Sequence, residues 1–172
     1  LVGVDIIKKN ITINGNGHTL DGCNQSRMFN ISQCEVNLND LIFINGHSIN
    51  TSSGITSSHG GAIGCVLVNL TVKNCTFRDN YGYTYAGAID VCNTNLTVLN
   101  STFINNSAKY SGGAIYASSR IFSKPDNYVY LNGSTFINNY VTGIGGSVGF
   151  GGAVSATNMD VSSSYFINNS AR

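Results

Sequence analysis

The run Asn100-Ser-Thr-Phe-Ile-Asn-Asn-Ser-Ala-Lys-Tyr-Ser-Gly-Gly-Ala-Ile115 holds two phrases that recur along the chain. The first is a Phe, two residues and an Asn: Phe77 to Asn80, Phe103 to Asn106, Phe136 to Asn139 and Phe166 to Asn169. The second is a small residue, Gly, Ala and an aliphatic residue, at 60–63, 86–89, 112–115 and 151–154. Both periods are 26 residues where they are cleanest, 60 to 86 to 112 and 77 to 103. Repetition on this scale indicates stacked units, none of which buries its own apolar face alone.

Outward from the Phe positions, the pattern resolves into strands. Seven and five residues before each Phe stand Leu70 and Val72, Leu96 and Val98, Val129 and Leu131, Met159 and Val161, with a polar residue or Tyr between them. Val36 and Leu38 hold the same places before Phe43. Alternation of period two marks a strand with one buried face. The Phe is the core filler of the next strand, and the Asn after it suits a corner. Gly-Gly-Ala supplies a second tight corner. No useful stretch has a 3.6-residue period. Three short strands per coil describe a parallel β-helix, with Phe stacked on Phe and Asn amides in ladders. Residues 1–172 are expected to form one such domain.

The segment 11–22 alternates and turns at glycines in a looser version of the plan, and Phe43-Ile-Asn-Gly46 is a degenerate first phrase. From Phe to the next Gly-Gly-Ala phrase takes 9 residues after Phe77 and Phe103, but 17 after Phe43 and 15 after Phe136. The extra residues predict loops near 47–59 and 141–150. A third insertion, near 118–126, holds the single Pro. Inserted loops on a regular scaffold are natural places for recognition.

Only 10% of the chain is charged and its formal net charge is +1. That leaves no electrostatic footprint for nucleic acid. No apolar run is long enough to span a bilayer as a helix. The chain opens at Leu1-Val2-Gly3 without Met, which suggests a processed product or an excerpt.

The alternation of Gly-Gly-Ala-Ile with Phe-x-x-Asn resembles the repeats of chlamydial polymorphic outer-membrane proteins. Residues 100–108 are similar to adhesin-like surface proteins of methanogenic archaea, and 11–22 to the opening coils of right-handed, pectate-lyase-like β-helices. The resemblance implies a right-handed helix and a secreted or surface-displayed adhesive or structural passenger. It brings no catalytic residues to carry over, and no cofactor is expected.

Polysaccharide lyases and hydrolases on this fold need clustered carboxylates. Asp5, Asp21, Glu35, Asp40, Asp79, Asp90, Asp126 and Asp160 are scattered; stacking is expected to bring Asp79 near Asn105 and Asp90 near Tyr116, with no second carboxylate in either case. Among the five cysteines no Cys-x-x-Cys occurs, and His18, His47 and His59 have no ligand spacing. Cys65 and Cys92 fall at almost the same point of successive repeats and are candidates to bridge neighbouring coils. Cys23 with Cys34 is the next candidate pair, the alternative being buried free thiols. Cys75 stands where Ser101, Ser134 and Ser164 stand later, an interior ladder position. Candidate N-glycosylation sites are Asn50, Asn69 and Asn95; Asn105 and Asn168, at corners, are expected to stay bare. Tyr81, Tyr83 and Tyr85 alternate and are a candidate binding row for a glycan or a cell-surface protein. The chain stops just after a Phe phrase, so continuation in a longer chain or end-to-end stacking of copies is expected.

Overall fold

The computed structural model describes residues 3–49, 59–119, 127–143 and 149–172. The three inserted loops of the sequence reading, with Asn50, fall mainly outside these residues. The described residues contain strands and turns and no helix. Every strand pairing is parallel.

The coils stack into three six-stranded sheets and one four-stranded sheet. The first sheet holds Val4–Ile7, Phe29–Ser32, Ile63–Val66, Ile89–Cys92, Ile115–Ser118 and Val154–Ser155. The second runs from Ile11–Asn14 through Asn69–Lys73 and Asn95–Leu99 to Met159–Ser162. The third runs from Thr19–Asp21 through Thr76–Arg78 and Thr102–Ile104 to Tyr165–Ile167. The fourth consists of two-residue strands: Tyr81–Gly82, Ser107–Ala108, Tyr140–Val141 and Ser170–Ala171. The expected parallel β-helix is therefore present, with a fourth short strand that periodicity did not reveal. Two residues are too few to show alternation.

The aromatic column runs through the interior. Phe43, Phe77, Phe103, Phe136 and Phe166 stack with ring centroids 4.6–4.8 Å apart and planes within 6° of parallel. The Phe rings at 43, 77, 103 and 136 are fully buried.

Beside the column lies an amide ladder. Asn80 Nδ2 donates to Asn106 Oδ1, Asn106 Nδ2 to Asn139 Oδ1 and Asn139 Nδ2 to Asn169 Oδ1, each at 2.9 Å. The second Nδ2 proton of each goes to the Phe carbonyl of the coil before. Each Oδ1 also accepts the backbone N–H of the preceding rung. A hydroxyl ladder repeats the device at the neighbouring corner: the backbone N–H groups of Cys75, Ser101 and Ser134 donate to the Oγ atoms of Ser101, Ser134 and Ser164.

The corner role read for the last Asn of the phrase belongs to the residue before it. Asn45, Asp79, Asn105, Asn138 and Asn168 carry φ between 52° and 57°, the left-handed conformation that Asn tolerates. The final Asn, released from turning, faces inward. At the Gly-Gly-Ala corner the first position is left-handed, including Ala86 at φ 55°. The second position requires Gly for space: a Cβ on Gly87 would lie 2.1 Å from the Gly113 carbonyl oxygen.

Asn106→Ala leaves the buried backbone N–H and one Nδ2 proton of Asn80 without their acceptor, and is expected to cost roughly 2–4 kcal/mol in urea unfolding. Asn105→Gly, at an exposed left-handed corner, is expected to change stability by less than about 1 kcal/mol. Equal losses would contradict the division of roles between the two asparagines.

Candidate functional site

The strand register separates residues that the repeat spacing had put together. Cys65 is level with Val91, and Cys92 with Val66. Successive strand residues point to opposite faces, so Cys65 enters the core while Cys92 lies on the other side. The proposed Cys65–Cys92 bridge is thus corrected by a shift of one residue. The Cys23–Cys34 pairing is also not formed: Cys23 lies in the turn after Thr19–Asp21, Cys34 between Phe29–Ser32 and Glu35–Asn39. All five thiols are free. Burial pushes the Cys65 thiol well above its ordinary pKa and raises that of Cys75. Cys75 occupies the ladder position read for it, its Sγ 3.3 Å from the Lys73 carbonyl.

The tyrosine triplet divides at a corner. Tyr81 lies on the fourth sheet, beside His47 at 4.9 Å between ring centroids. Tyr83 follows, with the Lys109 ammonium 3.4 Å from its ring centroid. Tyr85 has turned toward the first sheet, where it stacks on Tyr116 at 4.5 Å and meets His59 edge-on at 4.8 Å. The row is therefore two patches.

Beneath the second patch lies a polar cluster that sequence reading missed. The outer column of the first sheet reads Asp5, Asn30, Gly64, Asp90, Tyr116 and Ser155. Arg27 lies over Gly64, where a Cβ would come within 2.8 Å of the guanidinium. The guanidinium donates to the carbonyls of Gly60 and His59 and to Asn30 Oδ1. Asp90 is fully buried, with Oδ1 3.5 Å from His59 Nδ1. Burial lowers the Arg27 pKa, and the Asp90 charge works against that shift. The one available signal was Gly64, the glycine opposite Asp90. Arg27 itself reaches in from a turn with no place in the repeat.

Asp90 is level with Tyr116, and Asn105 Nδ2 donates to Asp79 Oδ1 at 3.2 Å, as stacking required. The other carboxylate of the outer column, Asp5, is three coils from Asp90, about 14 Å. That exceeds the separation of a glycosidase acid pair, at most about 9.5 Å. Among the described residues no group of three or more His, Cys, Asp or Glu is placed to hold a metal. Asn69 and Asn95 are exposed and adjacent, Asn95 Nδ2 lying 3.4 Å from Asn69 Oδ1, so a glycan on one would crowd the other. Asn105 and Asn168 are exposed corner residues.

Residues 100–118 match the Chlamydia polymorphic membrane protein repeat. That stretch spans one Phe-x-x-Asn phrase, one Gly-Gly-Ala-Ile phrase and the strand after it. No curated protein and no solved structure matches.

Alkylation without reductant is expected to label exposed Cys23 quickly and Cys65, Cys75 and Cys92 only on unfolding, with five thiols titrating in denaturant. Peptide mapping that recovered a Cys65–Cys92 crosslink would overturn the one-residue offset.

Proposed function

We propose that this chain is a non-enzymatic adhesive module displayed at a cell surface, built as a rigid β-helix that presents its outer columns to a partner. The observation that carries the reading is the repeat match at 100–118, set in a solenoid whose chemically distinctive residues are consumed by stacking. The Phe, Asn and Ser ladders bond to their own copies. The outer columns are mostly uncharged Asn, Thr, Ser and Tyr, and the carboxylates stand far apart.

Phe166 and Val161 are 46% and 43% exposed, whereas their counterparts Phe136 and Leu131 are fully buried. A second copy stacked end to end would place Leu20, level with the Phe column, against Phe166.

Cells displaying the chain on a carrier are expected to adhere or aggregate more than cells displaying a Gly87→Val variant, whose coils cannot close. The purified chain is expected to release no product from a panel of polysaccharides. Product formation that Asp90→Asn abolishes would overturn the non-enzymatic reading.

A further inference from the structure

We infer that the outer face of the fourth sheet is a binding site for a carboxylate-bearing polysaccharide, laid across the coils and anchored by Lys109. The inference rests on the adhesive reading and names its ligand class.

The register lays out two columns on this face. The first reads Tyr81, Ser107, Tyr140 and Ser170. Continuing each strand by two residues gives the second: Tyr83, Lys109, Thr142 and Arg172. The backbone bonds from Gly143 to Lys109 and from Arg172 to Val141 keep that register beyond the strand ends. Tyr140 is 43% exposed and borders a cleft of about 300 Å³ that Thr142, Asn138, Asn168 and Arg172 also line.

This chemistry selects its ligand. Tyrosine rings offer flat apolar faces with a polar rim, suited to the C–H face of a sugar ring. Ser107 is buried between the two tyrosines of its column, and the exposed hydroxyls of Ser170 and Thr142 with the amides of Asn138 and Asn168 suit sugar hydroxyls. The two cations set the charge. Among the described residues neither Lys109 nor Arg172 has an ion pair; the Lys109 ammonium rests on the Tyr83 ring, and an ammonium carries three donors. Asp79, just before this face, is already held by Arg78 at 3.3 Å and by Asn105. The local field therefore favours an anion.

Spacing narrows the class further. Lys109 and Arg172 stand two coils apart in one column, about 10 Å, with Thr142 between them. An extended pyranose chain advances by nearly one coil spacing per sugar. A carboxylate on every second sugar would meet a cation at each, with the intervening sugar over Thr142. An acidic peptide fits less well. The inner strands Ser107–Ala108 and Tyr140–Val141 are paired on both sides, so no backbone edge remains for strand addition.

The test measures binding of the purified chain to immobilised oligosaccharides that alternate uronate and N-acetylhexosamine, and to the same material after carboxyl reduction. Expected are binding to the uronate form only, about tenfold weaker binding by Lys109→Gln, retention by Lys109→Arg, and a comparable loss by Tyr140→Ala. Unchanged melting temperatures show that the variants fold. Equal binding to the carboxyl-reduced polymer, or no effect of Lys109→Gln, would overturn the anionic assignment. Cell adhesion by a displayed chain that ignores the uronate polymer would overturn the inference and leave the adhesive reading standing.

Discussion

The buried amide ladder from Asn80 to Asn169 is the constraint around which the rest of this solenoid is arranged. A Phe column alone tolerates slippage, because flat rings slide over one another at little cost. An amide does not. Each rung accepts two bonds at Oδ1 and spends both Nδ2 protons, one on the next rung and one on the Phe carbonyl of the coil before. Moving a strand by one residue turns its side chains to the other face and strands buried donors and acceptors together. The ladder thus fixes register, and register fixes what the surface shows.

Stacking also explains the composition. Like residues meet their own kind at about 4.8 Å in every column. A charge at a repeat position would face a like charge one coil away, which is destabilising. Neutral side chains that both donate and accept gain from self-stacking, and the chain is rich in Asn, Ser and Thr with only 10% charged residues. Where charge does occur on an outer column it interrupts the repeat. Asp90 faces Gly64 on one side and Tyr116 on the other, and Lys109 lies between Tyr83 and Thr142.

The fold was legible because period-two alternation and the recurrence of Phe, Asn and Gly record the stacking directly. The parts misread were those that depend on phase or on distance. Cys65 and Cys92 differ from register by one residue, which repeat spacing blurs and a pleated strand makes decisive. The corner Asn and the ladder Asn are adjacent in Asn105-Asn106, so composition could not say which turned and which bonded. The fourth sheet was too short to alternate. Arg27 reaches over Gly64 from a turn outside the repeat, and nothing local marks that approach.

Recognition on such a scaffold is confined by the same logic. Interior positions are committed to the ladders, and the second Gly at each corner is packed against the backbone of the next coil. Only outer columns and insertions are free to differ from coil to coil. On the fourth sheet they do differ: Tyr81 gives way to Ser107, then Tyr140, then Ser170, beside a column that changes at every coil. A ligand that lies along the solenoid therefore reads a sequence of distinct contacts there, whereas on the second sheet Asn69-Leu-Thr71 and Asn95-Leu-Thr97 offer it the same contact twice. Irregularity on a face whose backbone is regular holds different side chains at fixed spacing, and fixed spacing is what a polymer of repeating sugars matches.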